Sequence, residues 1–238
     1  DGRVRRVLFE TGIGAFFGPE LRDRFGVESG EHVLLQSLAK LGLSDADVDV
    51  VVLSHLHFDH AGGLLAPHTP GEPPRLLFPR ASFVVGDEAF ARACRPHVRD
   101  RASFIAELPG LLERSGRLER VQGARSDALG ADYGLRRSDG HTPGLLLSEL
   151  ESDDGPIVFA ADLVPGRAWV HAPITMGYDR APEQVVDEKR ALLSELALRR
   201  GRLFFTHDPS VSMCRVEQRS EGRFVPVDEQ SELLRVPI

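Results

Sequence analysis

One segment, residues 48–63, restricts the possible folds of this chain more than any other. It opens with the β-branched run from Val48 to Ser54, which is typical of a strand buried on both faces of a sheet. The next six positions contain three histidines and one aspartate, namely His55, His57, Asp59 and His60. The pattern therefore predicts a polar loop at the carboxyl end of a buried strand, where α/β folds assemble their sites.

The residue types in this loop are metal ligands. Imidazole and carboxylate groups are the usual ligands of zinc and similar divalent ions. Alternate residues of an extended chain lie on one side, so His55 and His57 can face one ion. Asp59 and His60 follow a bend and can face a second ion. A histidine-rich surface turn is the alternative, and it fits poorly with a position directly after a buried strand.

Further candidate ligands follow later strand-like segments. Asp162 comes directly after the strand predicted at residues 157–161, and His207 follows the apolar run 203–205. His141 lies in the loop Gly-His-Thr-Pro-Gly after a strand predicted at 133–138. Each of these residues is weak support by itself, since loops and strand ends often contain such groups. Their order along the chain makes a common site the better interpretation.

The remaining sequence predicts a mixed α/β fold. Apolar residues recur at helical spacing in 31–41 and 183–200, and a shorter helix is predicted from Phe104 to Leu112. Further strands are predicted at 81–86 and 145–150, and the proline-rich stretch 67–79 predicts a surface loop. We expect a single domain over residues 1–238, a length that can enclose one core.

Composition excludes several partners. The formal net charge of -7 disfavours binding to nucleic acid, and no apolar run approaches the length of a membrane span. Two cysteines, Cys94 and Cys214, do not form a disulfide framework, which fits a reducing, cytoplasmic location. A small-molecule substrate is the expected partner. His32, His68 and His97 are predicted to be surface groups, whereas His171 could line a pocket.

Taken together, these residues resemble the metallo-β-lactamase superfamily. Residues 55–60 match its H-x-H-x-D-H signature, and the later His, Asp and His positions match in order. The resemblance implies an αβ/βα four-layer sandwich, with two mixed sheets face to face and helices outside. It also implies two metal ions, with one held by His55, His57 and His141, the other by Asp59, His60 and His207, and Asp162 bridging both.

The resemblance implies hydrolysis by a hydroxide bound between two metals. Two cations that share a water lower its pKa, and they also polarise the bond under attack. Zinc is expected first, although manganese and iron also accept these ligands. Asp59 can hydrogen-bond the nucleophilic water, and we expect it to take part in catalysis.

Departures from the family pattern narrow the substrate to a small ester, a lactone or a related compound such as a phosphotriester. The zinc β-lactamases have a Cys ligand that this chain lacks, and only 31 residues follow His207, too few for the substrate domain of glyoxalase II. Nucleases usually have a large insertion or a basic surface. Tyr178 is a candidate for polarising the carbonyl, and a helix-capping role is equally compatible. Phe16, Phe17, Trp169 and Met176 could form an apolar substrate wall or belong to the core.

Two other functions remain open. A sulfur dioxygenase of the same fold would use a single iron, and a non-catalytic member would normally have lost ligands, whereas all seven are present here. Glu10-Thr11-Gly12 stands where Asp-Thr-Gly is usual, a change that affects contacts around the metals and not the ligands themselves. Because Val4 to Phe9 is already strand-like, we also expect further residues upstream.

Overall fold

A computed structural model describes residues 4–236, and the chain divides into two compact units, residues 1–122 and 123–238. The expectation of upstream residues concerns a segment outside the described range. The strands and helices described in the first unit are β1 (Val7–Phe9), α1 (Pro19–Phe25), α2 (Val33–Lys40), β2 (Val50–Leu53), α3 (Phe58–Ala61), β3 (Ser82–Gly86), α4 (Asp87–Cys94), α5 (Leu108–Arg114) and β4 (Leu118–Val121).

The sheet of the first unit is parallel, with the strand order β1-β2-β3-β4. All four side chains of β2 are buried, as its β-branched sequence predicts for a strand covered on both faces. Val51 and Leu53 join Phe83, Phe90 and Leu108 in the apolar core of this unit. Since the strands are parallel, the loops after β1 and β2 leave the same edge of the sheet, and both contribute to the site described below.

The second unit contains a six-stranded sheet and one long helix. Its described elements are β5 (Tyr133–Ser138), β6 (Leu145–Leu150), β7 (Ile157–Phe159), α6 (Pro182–Leu198), β8 (Arg202–Phe204), β9 (Met213–Gln218) and β10 (Phe224–Gln230). The strand order is β10-β9-β8-β7-β6-β5, in which only β7 and β8 pair in parallel.

The core of the second unit forms between α6 and the sheet. Val185, Leu193 and Leu196 of the helix are buried with Leu145 and Leu203 of the strands. Their spacings of three, eight and eleven residues give α6 one apolar face, which matches the helix predicted at 183–200. This packing fixes the helix beside the loops that precede His141 and follow Asp162.

Most predicted elements are confirmed, and the mixed α/β class with them. The helix predicted at 104–112 is partly wrong, because Phe104 is extended and forms an isolated bridge with His57. The strand predicted at 157–161 ends at Phe159, and Ala161 has a φ of 44°. The single-domain expectation stays a prediction.

Within residues 4–236, no helix has the length and apolar character needed to cross a membrane. Both cysteines are free thiols, with Cys94 exposed and Cys214 buried. Burial raises the pKa of Cys214 to about 12, so this thiol is protonated and chemically inert at neutral pH. Neither cysteine belongs to the groups of described residues that could hold a metal ion.

Candidate metal centre

The first unit gathers His55, His57, Asp59 and His60, here called the histidine cluster, directly after β2. His55, His57 and His60 are all buried, with exposed fractions of 7% or less. Nε2 of His55 lies 2.9 Å from Nδ1 of His57, and the rings of His55 and His60 are 4.1 Å apart. A short helix, α3, begins after His57 and turns the chain so that His60 returns toward His55. The local motif therefore brings the three imidazoles together, as predicted.

Polar groups behind the rings hold two of these histidines. The Ser54 hydroxyl is 2.9 Å from Nδ1 of His55, and a Glu10 carboxylate oxygen is 3.2 Å from Nδ1 of His60. The other oxygen of Glu10 accepts a 2.7 Å hydrogen bond from the Ser54 amide. Such partners fix the orientation and tautomer of a ligating imidazole, leaving the opposite nitrogen for a metal. Glu10, in the loop after β1, therefore supports His60 directly, a role that the sequence did not define.

Asp59 differs from its neighbours in exposure. Its side chain is 40% exposed, and one carboxylate oxygen lies 3.6 Å from Nε2 of His60. That nitrogen is the one facing away from Glu10, so Asp59 is on the open side of the His60 ring. A carboxylate there can bind a cation beside His60 and still reach solvent, which suits both of its predicted roles.

Two glycines allow the loop after β1 to lie against the histidine cluster. A Cβ added at Gly63 would lie 2.1 Å from the Thr11 carbonyl oxygen, and one at Gly62 would lie 2.3 Å from that of Ile13. In this close approach the Thr11 amide and hydroxyl both donate to the His60 carbonyl at 2.9 Å. The glycines after the motif are thus required for backbone contact, beyond the tight turn that the sequence predicted.

The prediction for His32 is wrong, because this residue is buried. Only 5% of it is exposed, and it forms the N-cap of α2, where Nδ1 accepts from the Leu35 amide. Its Nε2 lies 3.0 Å from the Gly63 carbonyl and, with Nδ1 acting as acceptor, donates to it. His32 therefore ties α2 to the turn that follows the histidine cluster. Helical spacing alone placed it on the exposed face.

The second unit gathers His141, Asp162 and His207, here called the aspartate cluster. One carboxylate oxygen of Asp162 lies 3.3 Å from Nε2 of His141, and the other lies 3.2 Å from Nε2 of His207. His141 and Asp162 are buried, while the His207 side chain is 38% exposed. Asp162 thus presents one oxygen to each histidine, an arrangement suited to a bridging carboxylate.

His141 is held by groups that sequence reasoning missed. Asp179 is 2% exposed, and its Oδ1 lies 2.9 Å from Nδ1 of His141. Glu188 of α6 accepts hydrogen bonds from the Ser138 hydroxyl and from the amides of Asp139 and Gly140, which fixes the loop leading to His141. Both carboxylates are distant from His141 in sequence, so no local signal could have indicated them.

The segment after His207 is also ordered by a carboxylate. Asp208 accepts from the amides of Arg167, Ser210 and Val211, and these bonds with the Arg167 charge hold its pKa below the usual range, against the opposing effect of burial. Because the anion is retained to low pH, the loop that presents His207 keeps these hydrogen bonds across the neutral range. Asp208 is thus a further supporting residue.

The other predicted site residues vary in exposure. Tyr178 is 77% exposed, and His68, His97 and His171 are exposed as well, which confirms the surface prediction for His68 and His97. Phe16 and Phe17 are half-buried, and Phe17 lies 5.2 Å from the ring of Phe58, next to Asp59. Both phenylalanines line a cavity of about 790 Å³ in the first unit, together with Leu65 and Ile105. Two residues of the predicted apolar wall therefore border a cavity.

The donor groups of both clusters fit divalent transition metals. They consist of imidazole nitrogens and carboxylate oxygens, which zinc, manganese and iron all accept. Three of the five histidines, His55, His60 and His141, have a hydroxyl or carboxylate partner on the ring nitrogen that would face away from a metal. This support is typical of metal sites, because a ligating histidine usually donates its second N–H to such a group.

Comparison with known proteins agrees with these features. The family model described as the metallo-beta-lactamase superfamily matches residues 4–207, so the chain belongs to this superfamily. No curated protein matches the sequence.

Solved structures of related fold include several hydrolases. A probable metal-dependent hydrolase from Staphylococcus aureus is 22% identical with a TM-score of 0.79, covering 93% of this chain and 78% of that one. AidC, a dizinc quorum-quenching lactonase, is 22% identical with a TM-score of 0.74, covering 97% and 77%. The hydrolase AbOPH is 20% identical with a TM-score of 0.69, covering 93% and 74%. At sequence identities of 20–22%, these structural similarities establish the fold alone.

Proposed function

We propose that this protein is a metal-dependent hydrolase in which the histidine cluster and the aspartate cluster supply the ligands of one dinuclear centre. The family pattern assigns seven ligands to two ions, and all seven residues are present. The observation that carries the proposal is Asp162, whose two oxygens approach two different histidines at 3.3 and 3.2 Å. Each oxygen could then serve a different ion, as a bridging carboxylate requires.

The residues of the chain would divide the work of hydrolysis. Divalent ions bound by these ligands would acidify a water and polarise the bond under attack. Glu10 and Asp179 would hold His60 and His141 in the orientation and tautomer that ligation requires. Asp59, partly exposed, is placed to accept a proton from water and release it to solvent.

The proposed substrate is a small ester or lactone. Among the related folds, AidC is described as a lactonase, and a second structure is that of an N-acyl homoserine lactone hydrolase with its product bound. The cavity lined by Phe16, Phe17, Leu65 and Ile105 would accept an apolar group of such a substrate. Tyr178, exposed on the loop before α6, is the proposed donor to the carbonyl oxygen. A phosphotriester is the second candidate, since the same metal chemistry would polarise a phosphoryl group.

A mononuclear iron dioxygenase would have the same fold but a different use of ligands. It would need only two histidines and one aspartate on a single iron, so the remaining buried histidines would bind no metal. The two carboxylate oxygens of Asp162 approach His141 and His207 separately, which favours the dinuclear hydrolase. Metal stoichiometry separates the two functions directly.

The decisive experiment measures metal content and hydrolysis on the same preparations. Apoprotein reconstituted with zinc, manganese or iron would be analysed for metal per chain and assayed on lactones, aryl esters, phosphotriesters and thioesters. We expect about two ions per chain and the highest rates on lactones or esters. Asp162→Ala should lose at least one ion and nearly all turnover, while Lys40→Met on the exposed end of α2 serves as the control. One ion with full activity, or full activity in Asp162→Ala, would contradict the proposal.

A further inference from the structure

The chain contains a buried lysine that the proposed chemistry does not use. Of its 29 basic Lys and Arg residues only two are lysines, Lys40 and Lys189. Lys40 is exposed, whereas Lys189 of α6 has no exposed surface and lies between the buried residues Val185 and Leu193 on the helix. A buried ammonium group is costly unless its N–H groups find acceptors, so its contacts indicate what it does.

Lys189 donates to two backbone carbonyls of the segment between Asp162 and α6. Its Nζ lies 3.3 Å from the carbonyl oxygen of Trp169 and also donates to that of Ile174. These carbonyls are five residues apart, on either side of a turn in which the Ile174 amide donates to the His171 carbonyl. A single side chain therefore joins α6 to both arms of this turn.

The same segment ends at the partner of His141. The Met176 amide donates to Oδ2 of Asp179 at 2.6 Å, and the Asp179 amide donates back to the Met176 carbonyl at 3.1 Å. The second oxygen of Asp179, Oδ1, lies 2.9 Å from Nδ1 of His141. The position of residues 174–176 thus determines where Asp179 meets the imidazole ring.

We propose that Lys189 is a positioning residue that fixes residues 167–179 against α6 and, through Asp179, sets the orientation of His141. This inference rests on the proposed function for the role of His141 as a ligand. The fixed segment also contains Tyr178, the proposed donor to the carbonyl oxygen of the substrate. Lys189 therefore links the orientation of one metal ligand to the position of the segment that carries Tyr178.

An apolar side chain would not perform this task. Methionine has a similar length and would pack among Val185, Leu192 and Leu193 without the desolvation cost of a charge. It would leave the Trp169 and Ile174 carbonyls without their donor, and the turn would lose its connection to α6. Burial lowers the pKa of Lys189 to about 8, and the attraction of Asp179 acts in the opposite direction, so the side chain remains protonated at pH 7.

The first test compares Lys189→Met with Lys40→Met by limited trypsin digestion of the apoprotein. Arg167 is exposed at the start of the fixed segment, and cleavage after it requires local opening. Loss of two hydrogen bonds from a charged donor should accelerate this cleavage by at least about tenfold in Lys189→Met. Lys40→Met should be cleaved at the wild-type rate. Equal rates in Lys189→Met and wild type would overturn the proposal.

The second test measures Co²⁺ binding by chelator competition and by the visible absorption of the bound ion. We expect Lys189→Met to bind Co²⁺ roughly tenfold to a hundredfold more weakly and with an altered spectrum, the range for losing support behind a ligand. Affinity and spectrum equal to those of wild type would count against the proposal. Wild-type protein that bound no Co²⁺ would instead refute the proposed function, and the trypsin comparison would still decide the role of Lys189.

Asp179→Asn provides a second variant if Lys189→Met does not fold. It keeps Lys189 and both carbonyls, so cleavage after Arg167 should stay at the wild-type rate while Co²⁺ affinity falls. Rapid cleavage in Asp179→Asn would show that Asp179, and not Lys189, holds the segment, which would overturn the proposal.

Discussion

Replacing Glu10 by glutamine tests whether the carboxylate behind His60 supports metal binding. One oxygen of Glu10 accepts from the Ser54 amide at 2.7 Å, and the other lies 3.2 Å from Nδ1 of His60. Glutamine has one acceptor oxygen in place of two, so it can satisfy the Ser54 amide but then presents an N–H₂ group to His60. The variant therefore removes support for the ring and leaves the backbone contact intact.

The expected magnitude follows from these two contacts. Losing the partner of a ligating histidine should weaken zinc binding by roughly tenfold to a hundredfold, which is about 1.4–2.8 kcal/mol. Stability of the apoprotein should change by less than about 1 kcal/mol, because the Ser54 hydrogen bond remains. Glu10→Ala should lose both contacts. It should weaken zinc binding as Glu10→Gln does and also destabilise the apoprotein by about 1–3 kcal/mol, because the buried Ser54 amide is left without its acceptor.

The assay combines zinc competition with a chromophoric chelator and chemical unfolding of the metal-free protein. Glu28→Gln, at an exposed position of the same unit, is the matched control and should behave as wild type. Wild-type zinc affinity in Glu10→Gln would refute the reasoning, since it would mean that His60 needs no anionic partner. Equal destabilisation by Gln and Ala would also contradict it, because the two contacts would then not be separable.

Three further predictions concern other positions. Gly63→Ala should destabilise the protein by about 1–3 kcal/mol because its Cβ would lie 2.1 Å from the Thr11 carbonyl, whereas Gly123→Ala, with no atom within 4 Å, should be neutral in urea unfolding. Tyr178→Phe should retain all metal and lose roughly tenfold to a thousandfold in turnover if its hydroxyl polarises the carbonyl, and unchanged turnover would exclude that role. The pKa of Lys189 is lowered from 10.5 to about 8, so the unfolded state holds the proton at higher pH than the folded state does. Wild type should therefore gain roughly 2 kcal/mol of stability relative to Lys189→Met as pH rises from about 8 to 10.5, and a constant difference across that range would refute the shift.

The sequence predicted much of the fold because the required signals are local. The β-branched run of β2 and the apolar face of α6 follow from periodicity, and their boundaries agree with the structure within a few residues. The elements that were not predicted lack such signals. Helix α1 buries no side chain, α4 begins directly where β3 ends, and β10 contains a register irregularity after Val227.

The candidate ligands could likewise be identified from sequence, whereas their supporting residues could not. His55, His57 and His60 lie within one short motif, and this closeness in sequence is enough to bring their rings together once the strand and the turn form. Their chemistry as metal ligands is a property of the side chains themselves. The sequence by itself therefore determined the superfamily and the ligand set proposed here.

Only the tertiary structure decided which groups stand behind those ligands. Glu10 meets Ser54 across 44 positions and Asp179 meets His141 across 38, and neither pair has a periodic or local signature. His32 caps α2 and Lys189 lies within α6. Each side chain is buried and hydrogen-bonded to a backbone carbonyl of another segment, a contact that helical spacing cannot predict. Hydrogen-bond partners at such separations are chosen by how the strands and helices pack, because burial leaves each polar group only the acceptors or donors that packing brings within reach.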